Sequence, residues 1–196
     1  MGVDKVIKVA LIGNPNTGKT SLFNQLTGLK QKVGNYPGIT VEKKQGFCKL
    51  NEIIKAEITD LPGTYSINPT SMDETLVLDT LLDEKGNTFP DVIIVVVDIE
   101  NIKRNLLLFT QIKDLKIPTI LVINMVDQME RKGIKINVPL LEAQLKTKIV
   151  LASARKKIGI EQLKDVLIDY KKLDTTPISN ISERIDKEYF TKLKNA

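Results

Sequence analysis

Residues 13–20 have the sequence Gly13-Asn14-Pro15-Asn16-Thr17-Gly18-Lys19-Thr20, and this stretch decides the fold of the chain. It fits the pattern G-x-x-x-x-G-K-[ST] and lies between a β-branched apolar run at residues 6–12 and a helical pattern at residues 19–26. In such a turn, backbone N–H groups and the helix N-terminus surround phosphate oxygens. The alternative is a glycine-containing turn that only caps a helix, and the flanking elements disfavour it. The stretch therefore predicts the phosphate-binding loop of a nucleotide site.

Two side chains of this loop have specific expected roles. Lys19 is expected to reach the β- and γ-phosphates, and the hydroxyl of Thr20 to bind Mg²⁺. The residues predicted to contact the nucleotide in this region are Gly13, Asn14, Pro15, Asn16, Thr17, Gly18, Lys19, Thr20 and Ser21.

Outward from the loop, apolar strand-like runs alternate with helical segments. Further strands are predicted at residues 41–50, 52–59, 92–97, 120–123 and 149–151, and helices at residues 72–83, 102–115, 138–145 and 160–170. The first two of these strands form a predicted hairpin about Asn51. Residues 30–38, rich in Gly, Asn and Pro, are predicted to be loop. This alternation predicts an α/β fold with a parallel sheet covered by helices on both faces.

Composition limits the function classes. With 196 residues the chain has room for one domain and a short appendage, and 27% charged residues exclude a disordered chain. It has no apolar run near the ~18 residues that span a bilayer and no secretory signal at its start, so we expect a soluble, intracellular type of domain. There is no histidine and only one cysteine. The net charge of +5 comes from dispersed lysines, which indicates a solvated surface rather than a nucleic-acid interface.

The pattern of alternation breaks near residue 174. We predict one domain over residues 1–173 and a C-terminal tail over residues 174–196, with a weakly apolar helix at residues 182–194. That tail buries little by itself.

A second motif, Asp60-Leu61-Pro62-Gly63, follows the strand predicted at residues 52–59. An acid at the carboxyl end of a strand can hold Mg²⁺ through water, and Gly63 lets its backbone N–H approach a γ-phosphate. Taken alone, the motif is equally an ordinary exit from a strand into a turn. Together with the phosphate loop, it favours the magnesium and γ-phosphate site.

A third motif, Asn124-Met125-Val126-Asp127, closes the strand at residues 120–123. The carboxylate of Asp127 could accept N–H bonds from guanine N1 and its exocyclic amine, a donor pair that adenine lacks. Asn124 would brace the neighbouring loops. An asparagine and an aspartate that merely end a strand are the common alternative. After the last strand come Ser153, Ala154 and Arg155, which would close over the base but signal little alone.

All these motifs follow predicted strands, at the edge where an open α/β sheet binds ligands. Their order and spacing over residues 5–172 resemble the Ras-like P-loop GTPases. The resemblance implies a six-stranded, mostly parallel sheet that binds GTP and Mg²⁺ and hydrolyses the γ-phosphate. It also implies that Thr40 touches Mg²⁺ and the γ-phosphate from a mobile switch loop, and that the GTP-contacting residues of this loop are Gly38, Ile39, Thr40 and Val41.

A closer resemblance is to the N-terminal G domains of the ferrous iron transport protein B (FeoB) family. Besides the phosphate loop it rests on Asn35-Tyr36-Pro37-Gly38-Ile39-Thr40-Val41-Glu42, Asp60-Leu61-Pro62-Gly63-Thr64-Tyr65-Ser66, Arg104-Asn105-Leu106 and Asn124-Met125. It implies a domain on the cytoplasmic face of the cell membrane that regulates ferrous iron uptake. Such a domain is joined through a helical domain, which residues 174–196 could begin, to a membrane-embedded region of the same polypeptide.

The resemblance also bears on hydrolysis. Many Ras-like enzymes orient water with a glutamine where this chain has Thr64, a short side chain and a poor base. Catalysis is then expected to rest on Mg²⁺, Lys19, Thr40 and backbone N–H groups such as that of Gly63. In related GTPases an asparagine at the position of Asn16 helps to hold K⁺ against the phosphates. The alternative role of Asn16 is loop geometry.

Two other functions are compatible with parts of this pattern. A free RNA- or ribosome-associated bacterial GTPase would share the loop, but it usually needs an RNA-binding domain that the short tail does not provide. A P-loop ATPase or kinase is disfavoured by the segment from Asn124 to Asp127. We therefore predict no nucleic-acid partner, and oligomeric state does not follow from the sequence.

Overall fold

The computed structural model describes residues 5–29, 31–35, 42–68, 71–83 and 86–178. Gly38, Ile39, Thr40 and Val41 of the predicted switch loop lie outside the described residues, as does the predicted helix at residues 182–194.

A seven-stranded sheet forms the centre of the protein, with the strand order β2-β3-β4-β1-β5-β6-β7. The strands from β1 to β7 are Lys5–Gly13, Gln31–Asn35, Glu42–Lys49, Ile54–Asp60, Val92–Asp98, Thr119–Asn124 and Lys148–Leu151. Five adjacent strands, β4, β1, β5, β6 and β7, pair in parallel, whereas β2-β3 and β3-β4 pair antiparallel. The predicted α/β fold with a mostly parallel sheet is confirmed.

The expected number of six strands was wrong, because β2 occupies residues predicted to be loop. This strand lies at the edge of the sheet and pairs only with β3, where Val33 is opposite Lys44. Lys32, Val33 and Gly34 are all exposed, so the segment carries no alternation of buried and exposed residues. Pairing with β3, rather than intrinsic propensity, makes it a strand.

Six α-helices cover the sheet in the described part of the chain. From α1 to α6 they are Lys19–Thr27, Met72–Leu82, Ile102–Lys113, Met129–Lys132, Val138–Leu145 and Ile160–Ile168. Two 3₁₀ turns, Val126–Gln128 and Tyr170–Lys172, complete the order. Helix α1 ends as predicted at Gly28, whose φ of 62° is the left-handed conformation that glycine adopts without strain.

The two faces of the sheet bury separate apolar clusters. The first core packs α1 and α6 against the sheet through Phe23, Leu26, Leu163 and Leu167. The second core packs α2, α3 and α5 on the opposite face, with Leu81, Phe109 and Leu145 among its members. Every residue of β5 is buried, which explains why its sequence is a continuous apolar run.

Among the helices that the structure describes, none combines the length and the apolar character needed to cross a membrane.

Candidate nucleotide-binding site

The phosphate loop is a tight turn between β1 and α1. The carbonyl oxygen of Asn14 accepts hydrogen bonds from the Thr17 amide at 3.4 Å and the Thr17 hydroxyl at 2.9 Å. Asn16 has a φ of 67° and Gly18 a φ of 80°, so the chain turns twice through the left-handed region. A Cβ atom on Gly13 would lie 2.4 Å from the Val96 carbonyl oxygen, which leaves room only for glycine.

Helix α1 begins at this turn without a side-chain cap among the described residues. Its N-cap residue is Gly18, and the first backbone bond of the helix runs from the Leu22 amide to the Gly18 carbonyl at 3.0 Å. The first-turn amides therefore point out of the helix end together with its positive dipole end. This is the arrangement in which a helix N-terminus binds phosphate.

Asp60 connects the end of β4 to two polar side chains of the phosphate loop. Its carboxylate forms an ion pair with the ammonium group of Lys19 and accepts a hydrogen bond from the Thr20 hydroxyl at 3.2 Å. Asp60 is buried, and in the parallel register it lies beside Leu11 of β1. The carboxylate and the hydroxyl bring two hard oxygen donors together, which is the donor chemistry that Mg²⁺ requires.

The segment after Asp60 runs alongside the phosphate loop. The Leu61 amide donates to Leu11 O at 3.0 Å and the Thr64 amide to Gly13 O at 3.2 Å. A Cβ atom on Gly63 would come within 3.3 Å of Pro15, so the backbone of Gly63 packs closely on the loop. Pro62, between these residues, is half-buried.

Thr64 is fully buried and its hydroxyl is engaged by the protein. The hydroxyl oxygen lies 2.6 Å from the Ser66 carbonyl oxygen and 3.0 Å from Glu74 Oε1, and it accepts from the Ser66 amide at 3.3 Å. A hydroxyl group has one proton to donate, and both acceptors compete for it. Thr64 therefore serves as a structural bridge between β4 and α2 rather than as a base.

Asn124 joins the phosphate loop to the loop after β7. Its Nδ2 donates to Thr17 O at 2.9 Å, and its Oδ1 accepts from the Ala154 amide at 3.1 Å. The side chain is buried at the end of β6, and a Cβ atom on Gly18 would lie 2.3 Å from its Nδ2. The bracing role predicted for Asn124 is thus the one its geometry supports.

Asp127 stands in the 3₁₀ turn that follows β6. Met125 starts this turn with a φ of 64°, and the Val126 amide donates to Ala152 O at 3.1 Å. The hydroxyl of Ser153 donates to Asp127 Oδ1 at 2.7 Å, and this hydrogen bond lowers the pKa of the Asp127 carboxyl below its ordinary value. The nearby charges of Lys156 and Arg155 act in the same direction. The Asp127 side chain is therefore an anion throughout the neutral pH range.

The structure brings four predicted segments together at the carboxyl edge of the sheet: residues 13–21, residues 60–63, residues 124–127 and residues 153–155. Ser153 and Ala154 are buried, whereas Arg155 is exposed at the rim. The assigned contacts of Gly38, Ile39, Thr40 and Val41 remain predictions.

A polar network at the end of β5 is not predicted from the sequence. Asp98 is buried, accepts from the Asn101 amide at 2.7 Å and donates its own amide to Asn105 Oδ1 at 3.0 Å. Asp98 borders a groove of about 270 Å³ between the phosphate loop and α3. Arg104 also lines this groove, and its guanidinium stacks 4.4 Å from the centroid of the Tyr65 ring. The available signal was the acidic end of a buried strand, as at Asp60.

Comparisons with known proteins agree with this arrangement. The family model described as ferrous iron transport protein B matches residues 7–167. A relative from Porphyromonas gingivalis, an Fe(2+) transport protein A/Fe(2+) transporter FeoB fusion protein, is 45% identical over 163 residues, which are 83% of this chain and 19% of the relative. The chain spans about a fifth of the length of the curated relatives it matches.

Solved structures are similar over most of the chain. The G domain of the T. maritima FeoB iron transporter is 39% identical with a TM-score of 0.76, covering 85% of this chain and 99% of that one. The cytosolic domain of the same transporter in a GDP form is 38% identical with a TM-score of 0.81, covering 90% and 67% of the two chains.

Proposed function

This chain belongs to the ferrous iron transport protein B family, and from that premise we propose that it binds GTP and GDP and slowly hydrolyses GTP. The proposal is carried by two hydrogen bonds of the Asn124 side chain, one donated to Thr17 O and one accepted from the Ala154 amide. It holds the phosphate loop and the Asp127–Ser153 pair in one site, so the phosphates and the base are recognised together. The related T. maritima cytosolic domain was solved in a GDP form.

Each end of the site has a defined task in this proposal. Asp127 accepts the two N–H groups of guanine, and an adenine base would leave its negative charge unsatisfied. Lys19 and the first-turn amides of α1 bind the phosphates. The backbone N–H of Gly63 faces the γ-phosphate, and Ser153, Ala154 and Arg155 close over the base.

Mg²⁺ fits the oxygen donors of Thr20 and Asp60, which lie 3.2 Å apart, and we propose Thr40 as a further contact. When bound, the ion neutralises charge that develops on the β- and γ-phosphate oxygens. The residues of the chain supply positioning: Asp60 orients Lys19 by its ion pair, and buried Thr64 anchors the segment that carries Gly63. Because Thr64 does not act as a base, hydrolysis relies on electrostatics and is slow.

Asn16 supports a further proposal, that K⁺ stimulates the reaction. Its side chain is exposed at the phosphate loop and its amide oxygen is a suitable ligand for K⁺. A K⁺ ion there would supply the positive charge that other GTPases obtain from an arginine finger.

We expect phosphate release from GTP to be at least about tenfold faster in K⁺ than in Na⁺ at equal ionic strength, a difference of roughly 1.4 kcal/mol in the barrier. The variant Asn16→Gly should lose this difference, because glycine keeps the left-handed backbone and removes only the amide. Hydrolysis of ATP should be absent in both salts. Equal GTPase rates in K⁺ and Na⁺, with Asn16→Gly unchanged, would exclude the role of K⁺ but not GTP binding.

We also propose that the chain is the nucleotide-binding part of a longer protein on the cytoplasmic face of the cell membrane, where it regulates ferrous iron uptake. The names of its relatives and its share of their length support this. In this proposal residues 1–173 form the GTP-binding domain, residues 174–196 begin a helical domain, and the partner is a membrane-embedded region of the same polypeptide.

Cells that depend on the whole protein for ferrous iron should lose uptake with Asp127→Asn. Normal uptake by that variant would contradict the regulatory role, whereas co-purification of the protein with ribosomal RNA would favour the RNA-associated alternative.

A further inference from the structure

Residues 173–178 form a strap that crosses from one face of the sheet to the other. Leu173 packs against the first core, with α1 and α6, whereas Ile178 packs against the second core, with α2, α3 and α5. Helices α3 and α6 end at the amino ends of the parallel strands, so the strap passes at the end of the sheet opposite the nucleotide site.

Lys113 in the last turn of α3 is a fully buried ammonium group that holds this strap. It donates a hydrogen bond to the carbonyl oxygen of Asp174, and Lys146 reaches the Pro177 carbonyl at 3.5 Å. Burial lowers the pKa of Lys113, although the negative charge of Asp174 opposes this effect and the positive charge of Lys146 adds to it. A buried ammonium without its partner is costly, so Lys113 and the strap depend on each other.

The same helix binds the segment that follows Asp60. Two residues before Lys113, Gln111 accepts a hydrogen bond from the Ile67 amide at 3.1 Å. Ile67 also packs against the same core as Ile178. Only three residues lie between Ile67 and Gly63, and the backbone of Gly63 packs on Pro15 of the phosphate loop. Helix α3 therefore contacts both a segment next to the phosphates and the chain that leaves the domain.

We propose that Lys113 is a positioning residue that couples the strap at residues 173–178, through α3 and Gln111, to the segment at residues 61–68. A nucleotide-dependent shift at Gly63 would change the hydrogen bond between Ile67 and Gln111. Through the helix, it would also change the hydrogen bond from Lys113 to the Asp174 carbonyl. This coupling rests on the proposed function. Through it, the nucleotide state is transmitted to the polypeptide that continues beyond residue 178.

Amide hydrogen exchange measured by NMR tests this coupling. The two reporters are the Ile67 amide, bonded to Gln111, and the Thr176 amide, which donates to Asp174 Oδ1 at 2.7 Å. With Mg²⁺ and either GDP or a non-hydrolysable GTP analogue, we expect the exchange rates of both amides to differ between nucleotides by at least about threefold. If only Ile67 responds, the coupling is refuted.

Two variants separate the attachment of the strap by Lys113 from the coupling through Gln111. Lys113→Met should accelerate exchange at Thr176 at least about tenfold with either nucleotide and change the GDP dissociation constant less than twofold. Lys103→Met, an exposed lysine on the same helix, is the matched control and should behave as wild type. Gln111→Ala should leave basal protection at Thr176 intact but remove its response to the nucleotide.

If the Thr176 amide exchanges at the wild-type rate in Lys113→Met, Lys113 does not hold the strap in place. If the exchange rate at Thr176 still responds to the nucleotide in Gln111→Ala, the coupling does not run through α3. This variant tests the coupling even if Lys113→Met fails to fold. The anchor can be tested without any nucleotide. A failure of GDP binding in the wild-type chain would therefore refute the proposed function separately.

Discussion

Replacing Asp127 with asparagine should weaken binding of GDP and GTP by about two to three orders of magnitude, one of the two largest effects expected of a single substitution in this site. The carboxylate offers two acceptor oxygens and a negative charge, and Ser153 already donates to one oxygen at 2.7 Å. An asparagine amide has one acceptor oxygen, and its NH₂ group would face the guanine amine, donor against donor. Isothermal titration calorimetry with Mg²⁺ measures the change.

The same variant should bind xanthosine diphosphate more tightly than wild type does. Xanthine has a carbonyl where guanine has the exocyclic amine, so the new amide N–H meets an acceptor. Asp169→Asn serves as a control, because Asp169 is paired with Lys172 far from the site. A GDP affinity within threefold of wild type, or no gain for the xanthine nucleotide, would show that Asp127 does not contact the base.

Replacing Gly18 with alanine should abolish nucleotide binding and destabilise the fold by about 3–5 kcal/mol. Gly18 has a φ of 80°, and its added Cβ atom would lie 2.3 Å from Asn124 Nδ2. Asn124 would have to move, and this movement would break the hydrogen bond it donates to Thr17 O and the one it accepts from the Ala154 amide. Urea unfolding followed by circular dichroism gives the free energy, and GDP titration gives the binding loss.

Gly28→Ala provides the matched control for that substitution. Gly28 also has a positive φ, of 62°, but among the described residues no atom beyond its own neighbours in the chain lies within 4 Å of its added Cβ atom. We expect only the backbone strain, roughly 1–2 kcal/mol, and unchanged GDP affinity. If both glycine variants lost the same free energy of unfolding and both kept GDP binding, the close packing of Gly18 on Asn124 would not be required for nucleotide binding.

Most of the fold could be predicted from the sequence because the burial pattern is strong. The fully buried β5 is a continuous apolar run, and the phosphate loop marks the junction of β1 and α1. Strand β2 could not be predicted, since its exposed residues show no alternation and its structure comes from pairing with β3. Short polar edge strands of this kind are decided by tertiary contacts.

The site was predictable as a set of segments but not as a network. Asp60, Asn124 and Asp127 each follow a strand at the same edge, which the sequence pattern indicates. The bond from Ser153 to Asp127 depends on the parallel pairing of β6 with β7, which brings residues 26 positions apart into contact. The engagement of Thr64 by Ser66 and Glu74 likewise follows from packing, because a threonine after a glycine indicates no partner by itself.

In the proposed function, one site binds the phosphates at the N-terminus of α1 and recognises guanine through Asp127. Calorimetry of the purified chain with GDP and with ADP, both in Mg²⁺, tests it most directly. We expect a saturable signal with one GDP bound per chain and an affinity for ADP at least about a hundredfold weaker than that for GDP. Equal binding of the two nucleotides, or no heat from GDP, would contradict it.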